Sequence, residues 1–228
     1  MIGGRNMEVF SLDFALGLLP LMLKYLHVTL FMSVLSLVFG LMIAIIVALI
    51  IQTKIKIIYP ITKIYVSFFR GTPLIAQLFF LYFGLVQIFP SLKGMDAFTA
   101  AVIGLSLNAS AYMSETIRGA ISSVDKGQME GALSIGMTYL QAMRRVILPQ
   151  AARVAIPALS NNFIDIIKGS SLAFTLGVTE IMATAQMEGA AAYRFFEAFT
   201  DVIIIYWGII SLLGYLQKKL EIKMSEGY

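Results

Sequence analysis

The sequence predicts an all-α integral membrane protein with about five transmembrane helices. Of its 228 residues, 59% are hydrophobic and 13% are charged, whereas soluble domains carry about 25% charged residues. The apolar residues fall into runs near the roughly 20 residues that a helix needs to cross the hydrocarbon core. Segments that contain lysine and arginine separate most of these runs. Composition and pattern therefore favour a helical protein embedded in a bilayer.

The composition also excludes several classes of function. The chain has no cysteine, which excludes a disulfide scaffold, a thiolate zinc site and cysteine catalysis. Its single histidine, His27, does not make a histidine-rich metal site. No nucleophile and base stand in a catalytic pattern, so we expect no catalytic residue and no metal. The net charge of +4 is typical of basic residues at the ends of membrane helices, and we expect no nucleic-acid partner.

The predicted spans follow the uncharged runs in order. Residues 1–23 are too short to cross the bilayer, and their apolar spacing predicts an extracellular or interfacial segment; an extension of the first span is the alternative. The start of the chain lacks the features of a signal peptide, so we expect the first span to be retained. The spans are expected near residues 28–52, 66–90, 97–117, 154–176 and 199–217, with a polar loop at 119–150 and a tail at 218–228.

Two connections are predicted from local chemistry. The residues from Arg70 to Pro73 are expected to form a turn where the second span begins, because proline starts a helix well. The segment from Thr179 to Asp201 mixes charged and apolar residues and is expected to be a loop.

The distribution of basic residues predicts the orientation of the chain. Five spans place the two termini on opposite sides of the membrane. Twelve lysines and arginines fall on the side of the 119–150 loop and the tail, and four fall on the other side. Because basic residues collect in the cytoplasm, the amino terminus is expected outside and the carboxyl terminus inside. The polar loop is then cytoplasmic.

The polar loop has the pattern of two short helices. Apolar residues recur at roughly helical spacing from Ala132 to Ile147, with Arg144 and Arg145 on the opposed face. Gly136 interrupts this pattern, at a cost of roughly 1 kcal/mol relative to alanine in a helix. Pro149 marks a boundary before the fourth span. A compact knob of this kind can dock into a groove on another protein.

The same loop resembles the signature of permeases from ATP-binding-cassette (ABC) importers, E-A-A-x3-G-x9-I-x-L-P. Glycine replaces the second-position alanine, and valine replaces isoleucine at Val146. Each change keeps a residue that is small or close in size to the one it replaces. The positions that the resemblance assigns to coupling are Glu130, Gly131, Ala132, Gly136, Leu148 and Pro149.

Other stretches extend this resemblance over nearly the whole chain. FFRGTPLIAQLFFLYFGL at 68–85 and SLNASAYMSETIRGAISSVDKGQMEGA at 106–132 are similar to polar amino acid permeases of the histidine and glutamine class. The segments GTPLIAQLF, SSVDKGQ and LPQAARVAIPALSN are most similar to the corresponding segments of L-cystine permeases. The resemblance implies a type I ABC importer permease fold with a cytoplasmic coupling helix, in which residues 24–217 form the ABC transmembrane type-1 domain.

The resemblance also implies partners and a location. The loop is expected to dock on an ABC ATPase subunit, present in two copies, which binds ATP and Mg²⁺. This chain carries no phosphate-binding G-x-x-x-x-G-K-[ST] motif and is expected to bind no cofactor and to be no enzyme. A second permease copy, identical or related, and an extracellular binding protein complete the assembly. The implied location is a bacterial inner or plasma membrane, which the chain crosses several times.

Polar residues inside the predicted spans are the candidates for substrate binding. A charge inside the hydrocarbon costs about 2.5–3.5 kcal/mol on insertion scales and usually faces a cavity. A zwitterionic amino acid needs an acceptor for its ammonium group and a donor for its carboxylate, and side chains in spans three and four supply both. The candidates are Asn108, Tyr112, Glu115, Asp165, Lys168, Ser170 and Ser171.

Structural roles remain open for several of these residues. Asp165 and Lys168 are three residues apart on one helix and share a face, so they can satisfy each other and fix span four against its neighbours. Glu115 can pair with Arg118 by the same spacing. A basic amino acid or glutamine is an alternative substrate, although Gly169 stands where many relatives carry an acid. An ion-coupled secondary carrier and a channel-like subunit are further alternatives, but the inverted repeats common in carriers are not seen.

Overall fold

The computed structural model describes residues 10–225, and every regular element in this range is helical. The α-helices are α1 Leu12–Lys24, α2 Leu26–Thr53, α3 Ile58–Gly71, α4 Leu74–Phe79, α5 Leu85–Ile88, α6 Ala97–Ser123, α7 Lys126–Ser134, α8 Tyr139–Ala142, α9 Leu148–Ser170, α10 Ile181–Ala192 and α11 Phe195–Ser225. π-Helical turns occupy Phe80–Gly84 and Met143–Ile147, and 3₁₀ turns occupy Pro90–Gly94 and Ser171–Leu176.

Three of the described helices are long and apolar enough to cross a membrane, namely α2, α6 and most of α11. Two further pairs of helices meet the same criteria but are bent, so the described part of the chain has up to five spans. The all-α membrane fold is therefore confirmed. Residues 1–9 and 226–228, which belong to the predicted amino-terminal segment and tail, lie outside the described residues.

Helices α2 and α6 pack closely because small residues line their contact. The buried face of α2 carries Ser33, Ser36, Gly40 and Ala44. A Cβ atom on Gly40 would lie only 2.8 Å from the Cε of Met113 and 3.1 Å from a backbone oxygen of α6. Without a strong hydrophobic force between helices in lipid, such close backbone approach is the main source of association.

We predict that Gly40→Val destabilises the protein by about 1–3 kcal/mol, because the added methyl groups overpack the contact between α2 and α6. The measurement is the melting temperature of the purified chain in detergent. Gly208→Val is the matched control, since Gly208 also lies in a membrane helix but has nothing within 4 Å of its position for a Cβ. Equal melting temperatures for the two variants would contradict the close packing.

The segment of the second predicted span, 66–90, is not one continuous helix. Helix α3 ends at Gly71, α4 begins at Leu74, and the chain bends by 113° between them. The expected turn from Arg70 to Pro73 is present and lies at the bend between α3 and α4. Pro73 is the N-cap of α4 with extended backbone, as the residue before a helix requires.

The fourth predicted span and the loop after it also differ from expectation. Helix α9 begins at Leu148, well before 154, and a 3₁₀ turn replaces the α-helix from Ser171 to Leu176. Gly177 then adopts a positive φ of 98°. The expected loop of 179–201 contains α10, which starts at the N-cap Glu180. The turn at 177–180 bends α9 and α10 by 50° relative to each other.

Helix α1 is separate from α2, with Tyr25 between them. Its buried residues Ala15, Leu18 and Met22 form one face, and this face packs in a cluster with residues of α10 and α11. The amino-terminal helix is thus not a simple continuation of the first span. Its position at the outer interface stays a prediction.

Candidate functional site

A cavity of about 300 Å³ lies between α4, α6 and α9. Its size is at the lower end of small-molecule pockets. It brings together three of the predicted substrate residues, Asn108, Tyr112 and Asp165, and adds Asn162, which the sequence argument did not select. The lining residues are Leu74, Leu105, Asn108, Ala109, Tyr112, Asn162, Asp165 and Ile166.

The wall of this cavity is anchored by hydrogen bonds between Asn108 and Gln77. Asn108 Nδ2 donates to Gln77 Oε1 at 2.9 Å and to the carbonyl of Phe69 at 3.2 Å. Gln77 Nε2 lies 3.0 Å from the same carbonyl and 3.1 Å and 2.8 Å from the carbonyl and hydroxyl oxygens of Thr72. The donor side of Asn108 is therefore occupied by the bend between α3 and α4.

Tyr112 and Glu115 lie next to arginine side chains at the rim of the cavity. The Tyr112 hydroxyl lies 3.5 Å from the carbonyl of Arg70, whose guanidinium is 5.5 Å from the ring centre. Glu115 Oε2 accepts from Arg118 at 2.7 Å and lies 3.9 Å from Arg70. Glu115 does not line the cavity. The structure thus places Glu115 in an arginine cluster, the structural role that its spacing to Arg118 allowed.

Asp165 and Lys168 form an ion pair within one turn of α9, with 2.7 Å between Oδ1 and Nζ. The side chains are 66% and 54% exposed, so this pair does not clamp α9 to a neighbouring helix of the described chain. Charged groups at membrane depth need a water-filled cavity or another subunit beside them. Asp165 lines the cavity, and Lys168 lies one turn beyond its lining.

The two serines are not brought to the cavity. Ser170 is fully buried and its hydroxyl donates to the carbonyl of Ile167. Ser171 donates to the carbonyl of Lys168 at 2.7 Å. Their hydroxyls satisfy carbonyls at the point where α9 tightens into the 3₁₀ turn, and their part in substrate binding stays a prediction.

Two structurally important polar residues were missed by sequence reasoning. Gln77 is buried in the apolar run TPLIAQLFF, and a lone amide in such a run is a signal for a buried hydrogen-bond hub. Glu180 is also fully buried. Its carboxylate accepts from the backbone of Ala183 at 2.8 Å and from the hydroxyls of Thr29 and Tyr206, both at 3.3 Å. Glu180 therefore ties together α2, α10 and α11.

The polar loop folds into a knob of two short helices, α7 and α8. Gly136 joins them at a positive φ of 86°, a conformation that glycine adopts without strain. Thr138 and Gln141 then start α8 with reciprocal side-chain and backbone hydrogen bonds. The sequence prediction of two helices separated by this glycine is confirmed.

The knob is attached on one side and apolar on the other. Ala132, Ala142 and Ile147 are buried at its base. Ile135 and Leu140 are each 75% exposed. Among the remaining coupling residues, Glu130 and Gly131 are exposed on α7, and Leu148 and Pro149 form the exposed start of α9.

A side-chain clamp joins the knob to α9. Gln150 Nε2 donates to Gln128 Oε1 at 3.1 Å and to the carbonyl of Val146 at 3.0 Å. The clamp connects α7 to the first turns of the helix that carries Asp165. The knob is thus joined directly to a helix that lines the cavity.

Comparison with known proteins gives a consistent result. Residues 40–226 match the family model described as "Binding-protein-dependent transport system inner membrane component". The chain is 55% identical to the "Probable amino-acid ABC transporter permease protein PatM" of Vibrio harveyi, covering 96% of this chain and 98% of the relative. It is 41% identical to the "L-cystine transport system permease protein TcyB" of Bacillus subtilis, covering 90% and 87%.

A solved structure supports the same assignment. The chain superposes on a crystal structure described as "an amino acid ABC transporter with histidines" with a TM-score of 0.87 and 35% sequence identity, over 94% of this chain and 100% of the other. The bend, the cavity and the knob thus belong to a membrane-embedded subunit of an importer.

The chain belongs to the family of binding-protein-dependent transport system inner membrane components, the permease subunits of ABC importers. It is a multi-pass membrane protein and not an enzyme, because ATP hydrolysis in these systems belongs to a separate subunit. Membership implies an ATPase partner and a substrate-binding protein.

We predict that Gln77→Leu lowers stability by about 1–3 kcal/mol, since it leaves buried carbonyls at the bend without their donor. In a chain of this size each kcal/mol shifts the melting temperature by about 2–4 °C. Gln87→Leu is the control, because Gln87 is exposed and makes one long hydrogen bond of 3.4 Å. A melting temperature of Gln77→Leu no lower than that of Gln87→Leu would show that the hub is dispensable.

Proposed function

We propose that this chain translocates a polar amino acid, with L-cystine favoured, delivered by an extracytoplasmic binding protein and driven by the separate ATPase. The observation that supports the proposal is the cavity between α4, α6 and α9, whose lining includes Asp165, Asn108 and Tyr112. A carboxylate, amides and an aromatic ring in a small cavity suit a zwitterion.

The ion pair of Asp165 leaves this carboxylate available to a substrate. An exposed ion pair contributes about 0–1 kcal/mol, and both members of this pair are more than half exposed. A substrate ammonium group can therefore replace Lys168 as the partner of Asp165 at little cost in free energy. The released Lys168 and the amide of Asn162 are then donors for the substrate carboxylate.

The choice of L-cystine is supported by two observations. TcyB, a relative over most of this chain, is described as an L-cystine permease. Asp165 is also the only carboxylate in the lining of this cavity, and a glycine at 169 supplies no second acid beside it. Arginine and lysine carry a net positive charge and need a further acceptor for the side-chain cation, whereas cystine is a double zwitterion that is neutral overall, so the basic amino acids are less well matched to a lining with one carboxylate. Glutamine remains the alternative neutral substrate.

The knob provides the connection to the ATPase. We propose that its exposed apolar side chains, with Ile135 and Leu140 at the centre, dock into a groove on an ATPase subunit in the cytoplasm. Glu130, Gly136 and Pro149 shape this surface. In the proposed assembly two ATPase subunits act on two permease copies, identical or related. The amino terminus lies outside and the carboxyl terminus in the cytoplasm, as the positive-inside rule predicts.

We predict that Asp165→Asn reduces ATP-driven uptake by about tenfold to a hundredfold, since a hydrogen bond to a charged group contributes about 1.5–3 kcal/mol. Uptake is measured in proteoliposomes that contain the permease, its ATPase and the binding protein, with labelled cystine competed by histidine, arginine and glutamine. Asp13→Asn, on α1 and distant from the cavity, is the control and is expected to transport normally.

Two results would contradict this proposal in different ways. Unchanged uptake by Asp165→Asn would remove the residue from the substrate path. Stronger competition by arginine or glutamine than by unlabelled cystine would keep the cavity and overturn the choice of substrate.

A further inference from the structure

A second polar cavity, of about 570 Å³, is separate from the cavity between α4, α6 and α9. It is formed where α2 ends, where α3 begins and near the last turns of α6. Its lining is basic and rich in hydrogen-bond donors, unlike the largely apolar groove on the other face of α2. The polar residues of this basic cavity are Gln52, Lys54, Tyr59, Lys63, Arg118 and Ser122.

Positive charge in this cavity is not balanced within the described chain. Arg118 pairs with Glu115 at 2.7 Å. Lys54 and Lys63 form no ion pair with any carboxylate of residues 10–225. Of the three cations around this concave space, only Arg118 is thus paired with a carboxylate of the described residues. Like charges held together in this way repel each other, and an anion in the cavity relieves that repulsion.

The cavity lies at the depth in the membrane where lipid headgroups are expected. Helix α2 has 28 residues and is therefore about 42 Å long at 1.5 Å per residue. The hydrocarbon core is about 30 Å thick, so the end of α2 reaches the level of the headgroups. Lys54 follows directly as its C-cap. Basic pockets between membrane helices at this level are typical sites for anionic headgroups.

The surface beside the cavity is suited to acyl chains. Tyr59 and Lys63 face the cavity from α3, while Ile61 and Ile64 of the same helix are 63% and 69% exposed. A free phosphate ion would leave this apolar surface uncovered. A phospholipid covers it with its acyl chains while its phosphate meets the lysines.

We propose that this cavity binds the phosphate of an anionic phospholipid, held by Lys54, Lys63 and Arg118, with Tyr59, Gln52 and Ser122 as hydrogen-bond partners. The lipid belongs to the cytoplasmic leaflet, a placement that rests on the proposed orientation of the chain. The bound headgroup neutralises the cluster and joins α2, α3 and α6 at the side of the bundle from which the knob emerges.

The test uses the full chain with its ATPase in nanodiscs of phosphatidylcholine alone and of phosphatidylcholine mixed with phosphatidylglycerol. The test variant is Lys54→Asn/Lys63→Gln. Asparagine is chosen at 54 because Lys54 has a positive φ of 50°, which asparagine tolerates. The control is Lys218→Gln/Lys219→Gln, which removes two basic residues from the same predicted membrane face.

We expect phosphatidylglycerol to raise the melting temperature of the unmodified chain and of the control. The test variant is expected to melt normally in phosphatidylcholine and to lose the increase. Each lysine near a membrane surface contributes about a fivefold gain in affinity for anionic lipid, so removal of two weakens binding roughly 25-fold. Native mass spectrometry of the same samples should show phosphatidylglycerol retained by the control and not by the variant.

Several outcomes would overturn the proposal. A full phosphatidylglycerol response in the test variant would place the lipid elsewhere, and an equal loss in the control would show a non-specific surface effect. Inorganic phosphate that raises the melting temperature in detergent as much as the lipid does would identify a free anion as the ligand. If the double variant does not fold, Lys63→Gln alone is compared with Lys219→Gln, and equal lipid retention by these two variants would contradict the site. None of these results depends on amino acid uptake.

Discussion

The hydrogen bonds between Gln77, Asn108 and the carbonyl of Phe69 are the interaction on which the membrane part of this protein depends. A backbone that leaves helical geometry at membrane depth exposes polar groups, and each unsatisfied group costs several kcal/mol in lipid. At the 113° bend between α3 and α4, the side-chain amides of Gln77 and Asn108 satisfy carbonyls that the break in the helix frees. Since Asn108 also lines the cavity between α4, α6 and α9, the bend that is stabilised in this way also shapes that cavity.

Close packing and one buried carboxylate hold together the helices around the bend between α3 and α4. The contact of α2 with α6 relies on Gly40 and its small neighbours, and Glu180 joins α2, α10 and α11 through hydrogen bonds. The knob lies between α6 and α9 in the chain, and both of these helices line the cavity. The clamp of Gln128 and Gln150 fastens the knob to α9. Motion applied to the knob therefore has a continuous helical route to Asp165.

The sequence predicted those features that depend on local pattern. Apolar runs located the membrane helices, and Gly136 marked the break between α7 and α8, because periodicity and positive-φ glycines are local signals. The 113° size of the bend at Thr72, the buried role of Glu180 and the hydrogen bonds of the Ser170 and Ser171 hydroxyls to carbonyls of α9 were not predicted. Each of these depends on partners that are distant in sequence or on the switch of α9 to a 3₁₀ turn, and no spacing rule encodes them. Asp165 was selected as a charge in an apolar span and lines the cavity. The pairing of Glu115 with Arg118 followed from spacing, whereas the approach of Arg70 to Glu115 required the fold.

The central claim is that the knob couples ATP hydrolysis to the cavity, and Gly136→Pro tests it most directly. Proline fixes φ near −65°, whereas Gly136 has a φ of 86° and its N–H donates to the carbonyl of Leu133 at 3.0 Å. Uptake and ATP hydrolysis are measured in the same proteoliposomes, with Gly119→Ala as the control because Gly119 is helical and has open space around it. The account predicts that Gly136→Pro reaches the membrane at normal abundance but loses ATP-driven uptake, while Gly119→Ala transports normally. Normal ATP-driven uptake by Gly136→Pro would contradict it.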